Sequence, residues 1–470
     1  MSKFNNPRAV QDAPPVSAGE ASPQFLTPLD MASGEPDVAA LPADVPEHTG
    51  SVQRLGFFVM CVYFLSGYAN DFSMRLFHNK AYLSTVAELL LPFLLLICGA
   101  PFRALRLRPG KLWLFFFIWL AIDLPFSIWR TGTASLLLNY GPRSWIELFY
   151  IVSFAVTTVA LRRLVRVQIL GSVLLLLSCI AFGSAGSQRF DITGSLFYSN
   201  ANELAMYLLF GMALLMFPIM RGSALTRVAA VAGLGVSMVY VLRTGSRGGL
   251  LGAIAMLVAL LVLSRRRVLV FLLAAAGCIC ATLFVSTQSL HRLTLAFGGT
   301  SLADAVTGDD VSAIASRLQR RELLRRSIVL SFEHPVFGVG PGQFVVAVDA
   351  QAKEEGKRSS WLGTHNSYTQ VSSECGFPAL FCYCGVLWFC IRNNYKLFRA
   401  TQDNEAASDI NAISFCLLLS AVVYAVCTFF DHVAYSGVLP FIGGFSISLK
   451  LAADKSIAAW RRSQDAIAAY

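Results

Sequence analysis

"YVLRTGSRGGLLGAIAMLVALLVLSRRR", residues 240–267, is an apolar run held between two basic ends. From Gly248 to Ser264 it carries no charge, and the triplet Arg265, Arg266 and Arg267 stops it. A helix needs about 20 apolar residues to cross the hydrocarbon of a bilayer. The stretch therefore predicts a membrane span over 247–264. Lys and Arg collect on the cytoplasmic side of spans, so "RRR" lies inside and "RTGSRGG" (243–249) lies outside.

The same pattern repeats along the chain. Of its 470 residues, 55% are hydrophobic and 14% charged, and the mean hydropathy is +0.59. A soluble domain is closer to half apolar and a quarter charged. The apolar blocks predict an all-α polytopic membrane protein with about twelve transmembrane helices. These fall at 53–70, 82–101, 112–130, 145–161, 168–183, 203–220, 225–242, 247–264, 268–286, 374–391, 411–430 and 433–450. One large outer, periplasmic loop, 287–373, separates the ninth span from the tenth. Residues 1–50, rich in Pro, Ala, Ser and acids, predict a disordered cytoplasmic tail. They lack the basic start and apolar core of a signal peptide, so the span beginning near Leu55 is expected to insert uncleaved. Residues 451–470 predict a second cytoplasmic tail.

The charges fit this topology. Arg103, Arg106, Arg108 and Lys111, then Arg162, Arg163 and Arg166, then Arg221 and Arg227 fall in inner loops. Arg392, Lys396, Arg399 and the tail's Lys450, Lys455, Arg461 and Arg462 follow them. The net charge of +10 thus sits largely against anionic lipid and needs no nucleic-acid partner. The large loop departs from the rule. It holds Arg292, Arg317, Arg320, Arg321, Arg325, Arg326, Lys353, Lys357 and Arg358. Long loops translocate despite their charge, but a basic outer surface asks for an anionic partner.

The eleven cysteines fall almost wholly inside apolar runs with no CxxC pair. They predict buried small hydrophobes rather than disulfides or zinc ligands.

The topology gathers four polar segments on the outer side: "FYSNANELA" (197–205), "RTGSRGG", "SRLQRRELLRRSIVLSFEHPVFGVGPGQF" (316–344) and "THNSY" (364–368). Ser246 and Arg247 stand among glycines at a helix start, a setting that favours anions, or else form a tight turn whose Arg reaches headgroups. The 316–335 stretch predicts an amphipathic helix able to lie in the outer interface. Its apolar positions are Ile314, Leu318 and Leu324 or Ile328, and Arg317, Arg320, Arg321 and Arg325 crowd its polar faces. "GVGPGQF" (338–344) predicts a turn. His365 can take a proton from a hydroxyl near neutral pH, with Asn366, Tyr368 and Glu374 close enough to orient it. His291, His334 and His432 are also outside, but their spacing matches no common ligand pattern and no metal is expected. Glu88, Asp123 and Glu147 are the main carboxyls inside spans, Asp123 at a kink or helix contact.

"SNANELA", "TGSRGGLL", the loop's "SR", "GVGPGQF" and "HNSYTQVSSECGFPAL", in this order, resemble the O-antigen ligase and polymerase superfamily over residues 55–450. The resemblance implies a glycosyltransferase of the bacterial inner membrane with both termini cytoplasmic. It would move a glycan from undecaprenyl pyrophosphate to an acceptor hydroxyl, on lipid A–core or on a growing polysaccharide. No metal or cofactor is implied. Arg247 and Arg317 would hold the pyrophosphate, and His365 would deprotonate or orient the acceptor hydroxyl. Asn200 or Asn202, Ser246, Arg321, Asn366 and Glu374 would contact substrate. A transporter or flippase for anionic lipid-linked saccharide is the alternative. It would place more charge in the middle of the spans, and no internal repeat supports it.

Overall fold

The computed structural model describes residues 50–77, 83–98, 101–185, 189–192, 194–195, 198, 200–282, 308–359 and 361–468. The expected amino-terminal tail (1–49), the first part of the large loop, His291 and Arg292 lie outside them. The described chain is almost entirely helical. Its helices are α1 (Ser51–Tyr68), α2 (Asn70–Phe77), α3 (Leu83–Cys98), α4 (Arg108–Ile122), α5 (Arg130–Tyr140), α6 (Glu147–Phe154) and α7 (Thr158–Phe182). They continue as α8 (Ala201–Arg221), α9 (Ala224–Arg243), α10 (Arg247–Leu263), α11 (Arg267–Thr282), α12 (Gly308–Glu333) and α13 (Phe344–Glu354). The last are α14 (Ser367–Ala400), α15 (Ser408–Cys427) and α16 (Val438–Ala468). A single two-residue ladder pairs β1 (Ser184–Ala185) antiparallel with β2 (Phe190–Asp191).

Among the described residues, six helices are long and apolar enough to cross a membrane, or seven if α1 and α2, bent by 65°, count as one broken span. Shorter apolar helices lie at 83–98, 247–263 and 267–277. The expected span at 145–161 is not one helix. α6 has eight residues, the backbone leaves helical geometry at Ala155, and Thr157 accepts a hydrogen bond from Ala160 N to start α7. Arg162, Arg163 and Arg166 accordingly sit in the first turns of α7 rather than in a loop. At the other end of the chain α16 runs on to Ala468, through residues expected as a tail.

The core is built around α8, α14, α15 and α16, where large side chains such as Tyr383, Tyr424 and Phe445 are fully buried. Tyr383 and Tyr424 satisfy each other's hydroxyls at 2.8 Å. At the end assigned to the cytoplasm by charge, Asp409 pairs with Arg162 at 2.7 Å and Arg221 at 2.9 Å, and Asp403 pairs with Arg265 at 2.6 Å.

α14 carries the feature that places the rest of the site. Pro378 has no N–H, so the carbonyl of Glu374 loses its helical partner. Gly376 takes φ +78°, a left-handed value, and bends the helix. The freed carbonyls are taken up from outside. Val339 N donates to Ser373 O at 2.9 Å, Gly340 N to Glu374 O at 2.8 Å, and Trp119 Nε1 to Cys375 O at 3.0 Å. In return Phe377 N donates to Pro335 O at 2.8 Å. The "GVGPGQF" turn is thus a lock on the kink, which agrees with its reading as a turn.

The described part of the large loop is folded. α12 packs on α14, and Leu323, Leu330, Val339, Phe344, Ala347 and Val348 form a small core of their own. The expected apolar stripe of α12 is corrected: Ile314 is buried, but Leu318 and Ile328 are exposed, and Leu323 and Leu330 take their place. Ser331 Oγ and Ser372 Oγ, 2.7 Å apart, fasten α12 to α14.

Candidate functional site

Three of the expected substrate contacts turn out to be helix caps. The oxygen of Asn200 accepts from Asn202 N at 3.0 Å and starts α8. Ser246 Oγ accepts from Gly249 N at 3.1 Å and starts α10. Asn366 Oδ1 accepts from Tyr368 N at 2.9 Å and Thr369 N at 3.0 Å and starts α14. Each fills orphan donors of a first turn, a role worth about 1 kcal/mol.

Asn202 ties the first two caps together. Its Oδ1 accepts from Ser246 Oγ at 2.9 Å and from Arg189 Nη2 at 2.7 Å, while Arg189 Nε donates to Thr244 O at 3.0 Å. The glycines of "SRGG" serve packing: a Cβ on Gly248 would stand 2.7 Å from Phe430, and one on Gly249 2.7 Å from Ala205. They bring two protein segments close, which fits the tight-turn reading of this stretch.

The polar cluster of "THNSYTQVSSE" is mostly a set of bolts. Ser367 N donates to Thr428 O at 2.8 Å, and Ser367 Oγ donates to Asp431 O at 2.8 Å. The same hydroxyl accepts from Val433 N at 2.9 Å, and Tyr368 Oη donates to Ala425 O at 2.8 Å. Gln370 Oε1 accepts from Ala434 N at 3.3 Å. Glu374 accepts from Gly342 N at 2.9 Å, Phe344 N at 3.3 Å and Tyr435 Oη at 2.6 Å. Its carboxyl is filled by protein donors, and it holds the turn rather than facing an open space.

His365 is left over from this network. Its φ is +52°, a strained value for a residue with a side chain, and such values persist only where the surroundings enforce them. Thr364 Oγ1 closes the turn around it, donating to Asn366 O at 2.9 Å. His365, Thr364 and Asn366 then line a cavity of about 350 Å³ together with Arg247, Arg317, Arg320, Arg321, Phe429 and Phe430. Of the nine residues expected from the sequence, Arg247, Arg317, Arg321, His365 and Asn366 meet at this wall. Asn200, Asn202, Ser246 and Glu374 do not line it.

Sequence reasoning did not single out Arg320 as a site residue, and it weighed His432 only as a metal ligand, without Asp431. The His432 ring stands edge-on to His365, centroids 5.0 Å apart and planes at 89°. Asp431 Oδ1 lies 3.5 Å from His432 Nδ1 and accepts from His432 N at 2.9 Å. His365 Nδ1, His432 Nδ1 and Asp431 Oδ2 are buried without a hydrogen-bond partner among the described residues. One ligand-capable atom from each of the three residues lies within 4.8 Å of the others, so this group could share a proton or hold a cation. The arginines of the same wall oppose a cation. His334 is exposed and does not join the group.

The electrostatics separate the two imidazoles. Burial, then the charges of His432 and Arg320, push His365 down to about 4, with Asp431 opposing. Burial also pushes His432 down, but the Asp431 carboxylate beside it, with Glu203 and Glu374, outweighs it and raises its pKa. At neutral pH His365 is therefore the bare base, and its neighbour holds its proton more tightly than an ordinary histidine.

Residues 229–384 match the family model described as O-antigen ligase. The matched segment contains Arg247, Arg317, Arg320, Arg321 and His365, while Asn200, Asp431 and His432 lie outside it. No curated protein matches the chain.

Proposed function

We propose that this multi-pass chain, with its O-antigen ligase family segment at residues 229–384, transfers a glycan from a polyprenyl-diphosphate carrier, undecaprenyl pyrophosphate, to an acceptor hydroxyl. Transfer takes place at the outer, periplasmic face of the bacterial inner membrane. The observation that carries this reading is the cavity itself: Arg247, Arg317, Arg320 and Arg321 share one wall with His365.

A diphosphate leaving group develops negative charge as its bond to the sugar lengthens. Guanidinium groups already aimed at that position stabilise the transition state more than the ground state, and losing one such donor costs about a hundredfold or more in rate. Arg247 and Arg317 are assigned to the diphosphate, with Arg320 and Arg321 adjoining. His365 accepts the proton of the acceptor hydroxyl as its oxygen forms the new bond to the anomeric carbon. The old carbon–oxygen bond breaks on the opposite side, the electron pair leaves with the carrier diphosphate, and the configuration inverts. The bound diphosphate offsets the charge of Arg320 and so makes His365 more basic when it is needed. No metal is assigned a step. The acceptor is lipid A–core for a ligase, or the growing chain for a polymerase.

A deletion strain complemented with wild type or His365→Ala tests the reading. Lipopolysaccharide is resolved on a gel beside an assay of carrier-linked and secreted polysaccharide. Long carrier-linked chains without polymer on lipid A–core identify a ligase; single carrier-linked repeats without long chains identify a polymerase. A wild-type profile from His365→Ala removes the histidine from the mechanism.

A further inference from the structure

A second cavity, of about 370 Å³, lies between α1, α3, α6, α7, α8 and the start of α16. It contains both Glu88 and Glu147, the intramembrane carboxyls to which the transfer chemistry gives no task. Asn70, Gln168, Tyr68 and Tyr207 also line it. Among the described residues lining it there is no Lys, Arg or His, the reverse of the first cavity. A diphosphate would meet carboxyls here and no described lining cation, so the wall disfavours an anion.

The wall has hydrogen-bonding capacity to spare. Glu147 is 7% exposed, and its carboxyl faces the cavity. The amide nitrogens of Asn70 and Gln168 are buried without partners, although Tyr68 Oη donates to Gln168 Oε1 at 3.0 Å and fixes that side chain. Buried polar groups of this kind are costly unless something fills them. The backbone has been cleared for the carboxyl as well: a Cβ on Gly437 would collide with Glu147 Oε2. Amide donors without a partner among the described residues, beside a buried carboxyl and tyrosine rings, suit a ligand with hydroxyls on its edge and C–H groups on its faces. That is a sugar. A lipid tail would leave the carboxyl and amides unpaired.

One segment walls both cavities. The segment between α15 and α16 gives Phe429 and Phe430 to the first cavity and Gly437 to the second.

We propose that the second cavity is a saccharide subsite, taking uncharged sugar residues of the donor's or the acceptor's glycan while the arginine-lined cavity takes the diphosphate. Its identity as part of a transferase rests on the proposed function; its preference for sugar hydroxyls rests on the cavity alone.

The probe is the free glycan released by mild acid from the lipid-linked pool of the producing strain. Its binding to the full-length protein in lipid nanodiscs is followed by saturation-transfer NMR. Glu147→Leu removes a buried carboxyl, so it should hold or raise the melting temperature. It should weaken glycan binding about tenfold or more, because the hydroxyl that met the carboxyl is left unpaired. Arg247→Lys should leave free-glycan binding unchanged. In a transfer assay, a raised KM for the lipid-linked donor assigns the subsite to the donor's sugars, and a raised acceptor KM assigns it to the acceptor. Equal saturation transfer in wild type and Glu147→Leu overturns the proposal, as does none from wild type or a fall in melting temperature that accounts for the loss. Glycan binding that depends on Glu147 in a protein without transfer activity overturns the transferase reading and leaves the subsite standing.

Discussion

His432 stands edge-on to His365 at 5.0 Å, the two ring planes at 89°. The two histidines are 67 residues apart in sequence (432 minus 365), and Asp431 raises the pKa of one while burial lowers that of the other.

This pairing sets a pH dependence. His365 works unprotonated, and its pKa in the free protein is depressed to about 4. The value of kcat/KM should therefore stay flat from pH 8 down to about 5 and fall only below that. The acid limb of kcat should lie at higher pH, because the bound diphosphate raises the histidine's basicity. Removing the neighbouring charge with His432→Asn should move the kcat/KM limb upward towards the ordinary histidine range. A limb that stays in place means His432 does not tune His365.

Arg247 separates two roles for the "SRGG" segment. Bidentate guanidinium contacts to phosphate are not reproduced by an ammonium. Arg247→Lys should lower kcat by about a hundredfold with expression and melting unchanged. A variant with wild-type kcat would mean that the arginine only reaches for headgroups.

Glu374 is predicted to matter through stability. Glu374→Ala leaves Gly342 N and Phe344 N buried without an acceptor and frees Tyr435 Oη. The cost should be about 3 kcal/mol or more, and the yield of folded protein should fall. Activity per folded molecule should survive far better than in His365→Ala. Thermal melting alongside a transfer assay normalised to folded protein separates the two.

The caps make a milder case. Ser246→Ala should cost about 1 kcal/mol and Asn366→Ala a similar amount, while Asn366→Asp keeps the accepting oxygen and most of the stability. If Ser246→Ala melts like wild type yet raises the donor KM, the serine touches substrate and the capping assignment fails.

Part of this was legible in the sequence. The apolar blocks announced membrane-spanning helices, because an uncharged run of that length has few other places to be. The charge alternation put Arg247, Arg317 and His365 on one side, and the fold brings them to one wall. The caps at Asn200 and Ser246 carry a sequence signal, Asn or Ser shortly before an apolar run. Asn366 precedes a polar stretch, and its cap shows only in the structure.

Other features depended on tertiary structure. The break at Ala155–Thr157 shows no proline or glycine, so hydropathy continued a span across it. Glu374 looked like a site residue until Gly342, Phe344 and Tyr435 supplied its hydrogen bonds. The pairing of His432 with His365 and Asp431 gave no local sign. Sequence by itself determined that the chain carries several helices apolar enough to enter a bilayer, because transfer free energy acts on each segment separately. Only the tertiary structure decided which of the polar groups are consumed by neighbours and which are left over, because a hydrogen bond is a short-range contact between residues that may be far apart in the chain.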